Sequence, residues 1–450
     1  MPYFIDLFIQ DIRSKRDYIR NILAEHSDTF LKEMLDEFKS IWNPLPRKDY
    51  FDFNAIAIDS SRAISEIFDG AIFHVCRAMG LTNNGKVYRD LETEIFYYCS
   101  RDEELASYLS MRLEYLEWKI VKKYLSDIKD KGDSINVILI DGSLYGRIMH
   151  IPKDSPLESN RDFMLKYMDL YTNIIDECRR KNVWIIGVSK DSKTDLLRKI
   201  ILTRVFEKYV SQNIWDKDIS DKMYKFWRKM FRTPFSTLKR LQEFFRNNPS
   251  IPSEILNIFR EHVKQKPDIH MIKIFTNGLS GYTTPIELGA GIYGTRAIFS
   301  SKIDIEKYLM KNFKKCLYEM GSKAFKKYAL DILYRVLNFP TIISLYATFK
   351  DGDLPLKIDF PSWMLNIDRK IPEAEPYRFI DKDDENIHKI LSILYSLYGG
   401  ERNYNVLLKR VDEKVKLTNK VMTQIYENVL QKELNIVITH MRGFRRVIYP

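Results

Sequence analysis

Two short stretches decide the expected fold of this chain: residues 54–60 read Asn-Ala-Ile-Ala-Ile-Asp-Ser, and residues 137–142 read Val-Ile-Leu-Ile-Asp-Gly. Each is an apolar run of strand length that ends in an aspartate, which is typical of a buried strand. We therefore expect Asp59 and Asp141 to lie at the rim of a sheet, where functional sites gather. One such aspartate alone is more often a turn or cap residue, but two on strands that can lie side by side favour a site.

The elements predicted around these stretches follow the order of a mixed sheet. They are strand, strand, strand, helix, strand, helix and strand, over residues 54–59, 71–81, 86–98, 102–123, 137–141, 161–181 and 183–188. The Asn-Asn-Gly turn at residues 83–85 predicts a hairpin between the second and third strands. Three antiparallel strands that lead into a helix and a strand–helix–strand unit describe an α/β fold with a mixed sheet, antiparallel and parallel, flanked by helices.

The chain is predicted to consist of four segments. Residues 1–45 are an N-terminal helical segment, which the Asn-Pro-Leu-Pro run ends. Residues 46–194 hold the first half of the sheet core, and residues 195–330 are a large, mostly helical insertion. Residues 331–450 hold the second half of the core and the C-terminal helices. This last segment is predicted to contain a strand pair and two helices, over residues 346–350, 356–360, 385–398 and 404–432.

Composition limits the class of protein. A chain of 450 residues that is 45% hydrophobic has ample material for a core. Its net charge of +11 suits a polyanion such as nucleic acid, although a solvated basic surface explains the charge equally well. No apolar run reaches the roughly 18 residues of a bilayer span, and the N-terminus lacks the pattern of a signal peptide. The four cysteines are widely spaced, which argues against a disulfide framework. We expect a soluble, cytoplasmic protein.

Three further acids are candidates for a metal site with Asp59 and Asp141. Glu114 and Glu117 lie one turn apart on the helix between the two strands, and at about 100° per residue Glu117 falls closer to the leucine stripe. Asp412 flanks the apolar stripe of the last predicted helix. A solvated surface position explains each of the three about as well. Gathered carboxylates need a shared proton or a cation, and oxygen-only ligands suit Mg²⁺ or Mn²⁺.

Five stretches carry a resemblance to a known family. They are Ala57-Ile-Asp-Ser-Ser-Arg62, Leu139-Ile-Asp-Gly-Ser-Leu144, Ile186-Gly-Val-Ser-Lys-Asp-Ser192, Leu356-Lys-Ile-Asp-Phe-Pro361, and Tyr404-Asn405 followed by Asp412. Together they resemble the NurA family of archaeal DNA nucleases, which has an RNase H-like fold. The resemblance covers roughly residues 50–192 and 345–430 and does not account for the insertion. Ser60 stands where the family motif usually has Gly.

The resemblance implies metal-dependent phosphodiester hydrolysis with two Mn²⁺ or Mg²⁺ ions. Asp59 would bridge the ions, and Asp141, Asp412 and a helix glutamate would complete their ligand shells. The family motif on this helix resembles Met111-Arg-Leu-Glu114 and favours Glu114 as the metal ligand. The helical wheel favours Glu117. Both stay candidates.

Two more residues acquire expected roles from the same resemblance. Lys190, just past its strand, would bind the scissile phosphate or its neighbour, and a surface lysine is an equally good interpretation. Tyr404 would stack on a base or orient a phosphate, and its position on the helix suits core packing at least as well.

The family resemblance also implies a biological setting. It implies a 5′→3′ exonuclease and single-strand endonuclease that acts on single-stranded DNA and duplex ends in DNA end resection and double-strand break repair. The implied partners are a second copy of the chain and a hexameric, HerA-like DNA-translocating ATPase, with no membrane contact. The alternative is a non-catalytic RNase H-like scaffold that binds DNA or the ATPase, which the Ser60 departure and the large insertion motivate.

Overall fold

The computed structural model of the chain describes residues 4–23, 29–67, 70–98, 102–128, 135–212, 217–249, 251–290, 297–299, 303–381 and 383–438. Its contacts divide the chain into two compact units. One comprises Met1–Trp42 and Lys193–Phe275, and is called the helical unit here. The other comprises Asn43–Ser192 and Thr276–Pro450, and is called the sheet unit.

The elements have the following bounds. The strands are β1 (Trp42–Asn43), β2 (Phe53–Glu66), β3 (Ala71–Thr82), β4 (Val87–Tyr97), β5 (Ile135–Asp141), β6 (Trp184–Ser189), β7 (Gly281–Thr283), β8 (Ile286–Leu288), β9 (Ile342–Thr348), β10 (Leu356–Pro361) and β11 (Tyr377–Phe379). The α-helices are α1 (Ile5–Ser14), α2 (Arg16–Leu23), α3 (Thr29–Lys39), α4 (Asp102–Asp127), α5 (Leu144–Ile148), α6 (Phe163–Arg180), α7 (Leu196–Gln212), α8 (Lys217–Met230), α9 (Pro234–Arg246), α10 (Ser253–Lys264), α11 (Asp268–Phe275), α12 (Ile305–Asn312), α13 (Lys314–Met320), α14 (Lys323–Leu337), α15 (Glu385–Ser396), α16 (Val406–Val415), α17 (Asn419–Val421) and α18 (Asn428–Leu434).

The helical unit contains α1–α3 and α7–α11 and packs around aromatic side chains. Trp227 stacks on Phe206 with ring centroids 4.7 Å apart and meets Phe259 edge to face at 5.1 Å. All three side chains are fully buried. Helix α1 buries none of its residues.

The central strands of the sheet unit lie in the order β4-β3-β2-β5-β6-β10-β9. The first three are antiparallel to one another, and β2, β5 and β6 are parallel. Strand β10 then runs antiparallel to both β6 and β9. The mixed sheet, antiparallel in part and parallel in part, that the sequence predicts is confirmed.

Helices cover both faces of the central strands, and this explains the continuous apolar runs in the sequence. On β5, Ile138 and Ile140 face a core that includes side chains of α4 and α6. Val137 and Leu139 face the opposite core, which includes side chains of α15 and α16. All four strand residues are 0% exposed. The two cores fix the positions of the helices that carry the predicted acids.

Three elements differ from the sequence prediction. The strand predicted over residues 346–350 is β9, which begins at Ile342 and ends at Thr348. Strand β2 does not end at Asp59 but continues to Glu66, because its pairing with β3 extends as far as Glu66 opposite Ile72. The helix predicted over residues 404–432 is broken after Val415. The guanidinium of Arg77 donates to the carbonyl oxygens of Val415 and Lys416 over 2.8 Å each, which satisfies acceptors at the end of α16.

The predicted segment 195–330 is divided between the two units. Residues up to Phe275 belong to the helical unit together with Met1–Trp42, whereas residues from Thr276 onward belong to the sheet unit. The reason is strand pairing, since β7 and β8 add to β9 with Tyr282 opposite Ala347 and Ile286 opposite Ser344. In the described part of the chain, no helix is both long enough and apolar enough to cross a membrane.

Candidate active site

Asp59 and Asp141 lie next to each other on the central strands. Strands β2 and β5 run parallel with Ile58 opposite Ile140, and each aspartate is the next residue along its strand. Strand β5 ends at Asp141, so the two carboxylates flank the point where this parallel pairing stops. Both side chains are half-buried. The structure thus brings together the two aspartates that the sequence singled out.

The Asp141 carboxylate is held by two side chains from other elements. The Tyr404 hydroxyl donates to Asp141 Oδ2 over 3.0 Å, and Lys190 Nζ lies 3.4 Å from the same oxygen. Lys190 Nζ is also 5.1 Å from the centroid of the Tyr404 ring. Burial, together with the negative charge of Asp141, raises the pKa of Tyr404, so its hydroxyl stays protonated and acts as the donor.

Lys190 stays positively charged in this setting. Its partial burial alone would lower the pKa of the ammonium group, but the charges of Asp141, Asp412 and Asp59 outweigh that effect and raise it. All three aspartates therefore act electrostatically on one lysine. Lys190 is half-buried and follows directly after β6, so the structure places it beside the acids.

Glu117 is the helix glutamate that contacts strand β2 next to Asp59. It projects from α4, is 4% exposed, accepts from the Ser60 hydroxyl, and forms an ion pair with Arg147. Burial raises the pKa of Glu117, and the neighbouring Arg147 opposes that shift. The negative charge of Glu117 in turn raises the pKa of Asp59. The position that the helical wheel favoured is the one that reaches the site.

Glu114 lies in a different environment. His150 Nε2 is 3.0 Å from Glu114 Oε2, and the Tyr167 hydroxyl donates to the same oxygen. Burial would raise the pKa of Glu114, but these hydrogen bonds and the charge of Arg147 outweigh it, and the pKa is lowered. The family motif favoured Glu114, but the Glu114 carboxylate is hydrogen-bonded to His150 and Tyr167.

Asp412 completes the group from α16, which packs on the face of the sheet opposite to α4. It lies on α16, is half-buried, and its Oδ2 is 3.4 Å from Lys409 Nζ. Its negative charge contributes to the raised pKa of both Asp59 and Lys190. Residues more than 350 positions apart in sequence thus act on one another here.

The pKa of Asp59 shows the effect of this arrangement. Its pKa is raised to about 7, first by burial and then by the charges of Glu117, Asp141 and Asp412. The backbone N–H of Ser60 donates to Asp59 Oδ1 over 2.7 Å and opposes the shift only in part. The protein therefore leaves negative charge around Asp59 that its own cations do not neutralise.

Asp59, Asp141, Asp412 and Glu117 are called the acid cluster below. Among the described residues, no three Asp, Glu, His or Cys side chains already stand grouped so as to hold one metal ion. The donor set is all oxygen, however, which is the ligand chemistry of Mg²⁺ and Mn²⁺, and its excess negative charge favours a divalent cation. The residues fit such an ion in charge and ligand type, and binding requires their side chains to draw together.

Two glycines allow the loop after Asp141 to pack closely. Gly142 has a φ of 116°, a backbone conformation that L side chains rarely adopt. A Cβ atom on Gly187 of the neighbouring strand β6 would lie 2.5 Å from the carbonyl oxygen of Gly142. The Ile186-Gly stretch of the family motif therefore has a steric function next to the site.

Sequence reasoning missed Arg147 and the function of Ser60. Arg147 is 4% exposed, donates to Glu117 and to the Asp141 carbonyl oxygen (3.2 Å), and lies 4.8 Å from the Trp118 ring. Ser60, which departs from the family motif, donates its hydroxyl to Glu117. Arg147 follows Asp141 by six positions, and nothing in the local sequence marks it as the partner of a glutamate 30 positions earlier.

A buried ion pair next to the site was also missed. Lys357 Nζ lies 2.6 and 2.7 Å from the two carboxylate oxygens of Asp359, and these side chains are 4% and 1% exposed. Ser143, two residues after Asp141, donates to Asp359. Two charged residues at i and i+2 in an otherwise apolar strand share one face, and that pattern could have revealed the pair.

Comparison with known proteins finds one family and similar solved structures. The NurA domain matches residues 53–417. The crystal structure of the NurA nuclease from Sulfolobus solfataricus is similar over 97% of this chain and 99% of that chain, with a TM-score of 0.51 and 15% identity. A further crystal structure of NurA aligns over 95% of this chain and 96% of that chain, with a TM-score of 0.40 and 15% identity. No curated protein sequence matches.

These findings identify the family and the fold. The likeness to the Sulfolobus solfataricus structure, together with the strand order observed here, confirms the predicted RNase H-like fold. Because the family match spans most of the sequence, from before Asp59 to beyond Asp412, the chain belongs to the NurA family.

Proposed function

We propose that this chain is a divalent-metal-dependent deoxyribonuclease that hydrolyses phosphodiester bonds at the acid cluster. The observation that carries the proposal is the convergence of carboxylates from β2, β5, α4 and α16 around Asp59, whose pKa is raised to about 7 by burial and by the other acids. Membership of the NurA family supports it, since the similar Sulfolobus solfataricus protein is named a nuclease.

Each residue of the site has a task in this reaction. Asp59, Asp141, Asp412 and Glu117 would hold one or two Mn²⁺ or Mg²⁺ ions. When bound, the ions supply an activated water and neutralise the charge that develops on the phosphate and the leaving oxygen. The charged Lys190 would bind a phosphate oxygen. Tyr404 would keep Asp141 in place through its hydrogen bond of 3.0 Å.

A cleavage assay tests this function directly. Labelled single-stranded and duplex DNA are incubated with Mn²⁺ or Mg²⁺ and with wild type, Asp59→Asn, or Asp331→Asn as a matched control. Asp331 is an aspartate of the sheet unit whose side chain is 69% exposed. We expect cleavage by wild type and the control, and a loss of at least roughly 100-fold in Asp59→Asn. Undiminished cleavage by Asp59→Asn would refute the site.

We further propose that the chain is a 5′→3′ exonuclease and single-strand endonuclease in DNA end resection, working with a HerA-like hexameric ATPase. Family membership and the net charge of +11 support this role. DNA labelled at either the 5′ or the 3′ end tests the polarity, because the label at the attacked end is released first. The same substrates with added ATPase and ATP test the partnership, with accelerated degradation of duplex ends as the expected result.

A homodimer belongs to the same proposal. Helix α1 buries none of its residues, and Leu7 and Phe8 are 54% and 59% exposed. Apolar side chains concentrated on one helix support a protein contact, which we assign to a second copy. Light scattering should give twice the chain mass for wild type and a lower mass for Leu7→Glu/Phe8→Glu. A monomeric wild type would contradict the dimer.

One observation favours the alternative function, a non-catalytic scaffold that binds DNA or the ATPase. Glu117 already has two partners in Ser60 and Arg147, which compete with a metal for its carboxylate. Thermal shift with Mn²⁺ separates the two functions. A nuclease site gains stability on adding the ion and loses that gain in Asp59→Asn. DNA binding without any Mn²⁺ stabilisation would favour the scaffold.

A further inference from the structure

Two adjoining cavities of the sheet unit lie beside the acid cluster. The inner cavity, of about 260 Å³, is lined by Lys190 and Tyr404, the two residues that contact Asp141. The outer cavity, of about 280 Å³, is lined by Lys48 and Tyr395. Phe349 lines both, so the two cavities lie next to each other at this ring, and the inner one borders the acid cluster.

Aromatic rings form the floor of this surface. Phe349 stacks on Tyr395 with centroids 5.7 Å apart, and its centroid is 5.5 Å from that of Tyr398. Tyr395 is 36% exposed, and Lys48 Nζ lies 4.8 Å from its ring centroid. We call Tyr395, Phe349 and Tyr398 the aromatic track. Interleaved aromatic and basic side chains are the features that bind single-stranded nucleic acid.

The polar groups along the track suit a nucleotide. Arg402 lines the inner cavity, is exposed, and forms no ion pair with any residue that the structure describes. The Tyr398 hydroxyl and Asp353 Oδ2 line the same cavity and are buried, and within the described chain neither has a hydrogen-bond partner. Both atoms are shielded from solvent, so a base edge reaches them only when the side chains around them move, whereas the exposed Arg402 suits a phosphate.

We propose that the aromatic track is a binding site for single-stranded DNA, which it leads to the acid cluster. Bases stack on the accessible parts of the tyrosine rings, and backbone phosphates meet Lys48 and Arg402. A duplex cannot use the track in this way, because its base faces are already stacked on one another. The inference rests on the proposed nuclease function for the meaning of the acid cluster, but the binding it predicts needs no cleavage.

The test measures binding in EDTA, where metal-dependent cleavage is absent. Fluorescence anisotropy with a short labelled oligothymidylate gives the dissociation constants of wild type, Tyr395→Ala and Tyr398→Ala. The matched control is Tyr318→Ala, since Tyr318 is a tyrosine of the same unit that is 91% exposed. We expect each track variant to weaken binding roughly tenfold and the control to leave it unchanged. For duplex DNA of the same sequence, the track variants should lose far less affinity relative to wild type.

A second variant guards against misfolding of the tyrosine variants. Arg402→Ala removes an exposed side chain, and it should make the slope of log affinity against log salt shallower by about 0.7, as loss of one phosphate contact predicts. Arg89→Ala, another exposed arginine, serves as its control. The proposal would be overturned if Tyr395→Ala and Arg402→Ala bound DNA with the affinity and salt slope of wild type. The aromatic surface would then be assigned to a protein partner.

Failure of the track proposal can be distinguished from failure of the proposed nuclease function. Weakened binding by the track variants supports the track even where wild type cleaves no DNA with Mn²⁺. Conversely, cleavage by wild type combined with undiminished binding by the variants removes the track and leaves the nuclease function intact. An equal loss for single strand and duplex would also count against the track, because it would show a general phosphate surface.

Discussion

Arg147 donates to the carboxylate of Glu117 inside the protein, where the two side chains are only 4% and 5% exposed. The same guanidinium donates to the carbonyl oxygen of Asp141 over 3.2 Å. One arginine on α5 therefore links the helix glutamate to the end of strand β5. This ion pair is one of two contacts of the Glu117 carboxylate, and the Ser60 hydroxyl provides the other.

Removal of Arg147 should destabilise the protein strongly. Arg147→Met leaves Glu117 as an unpaired buried charge, which typically costs about 3–5 kcal/mol. Urea unfolding of the metal-free protein measures the free energy. Arg179→Met is the matched control, because Arg179 pairs with Asp368 at the surface and such pairs contribute only about 0–1 kcal/mol. The double variant Arg147→Met/Glu117→Gln should recover part of the loss, and no recovery would argue against the pair as the cause.

The two helix glutamates should differ in activity. Glu117→Gln removes a carboxylate that acts on Asp59, so DNA cleavage with Mn²⁺ should fall at least about 100-fold. Glu114→Gln alters hydrogen bonds with His150 and Tyr167 and should cost about 1–3 kcal/mol of stability while cleavage persists. Rates measured well below both unfolding temperatures separate these effects. The reverse pattern would assign the site to Glu114.

The sheet could be predicted because its signals are local. The apolar runs before Asp59 and Asp141 and the hairpin turn at residues 83–85 mark strands whose order follows from chain connectivity. The helical wheel placed Glu117 closer than Glu114 to the apolar stripe, and the stripe that packs on the sheet fixes which side of α4 faces the strands.

The partners of the site residues could not be predicted in this way. Arg147 pairs with Glu117 across 30 positions, and Tyr404 reaches Asp141 across 263. Nothing in the local sequence specifies such pairings, because they depend on how helices pack on the finished sheet. The break after Val415 has the same origin, since Arg77 of β3 takes the carbonyl groups at the end of α16.

Tyr404 should contribute to activity through its hydroxyl. Tyr404→Phe keeps the ring beneath Lys190 but removes the hydrogen bond to Asp141, which should lower kcat about tenfold and cost only about 0.5–1.5 kcal/mol of stability. Steady-state cleavage and urea unfolding measure the two quantities. Tyr88→Phe is the control. The Tyr88 hydroxyl donates a hydrogen bond of 3.0 Å to Asp127, and neither residue belongs to the acid cluster. Equal kcat values for both variants would mean that Tyr404 only packs.

The raised pKa of Asp59 predicts how stability depends on pH. The pKa is about 7 in the folded protein against an ordinary 3.8, so the folded state binds this proton more tightly than the unfolded state does. The contribution of Asp59 to the stability of the metal-free protein should therefore fall as pH rises from about 4 to about 7 and change no further above that, by about 4 kcal/mol in total. Asp59→Asn lacks this titration.

Thermal unfolding of wild type and Asp59→Asn in EDTA, between pH 5 and pH 8, measures this difference. The variant should have the higher melting temperature at pH 8, and the gap should narrow toward pH 5, where Asp59 is protonated. Mn²⁺ should stabilise wild type at pH 8 more than the variant, since the cation neutralises the carboxylate that the variant lacks. A gap that is independent of pH would show that Asp59 titrates normally, and the acid cluster would then hold no excess charge for a metal to offset.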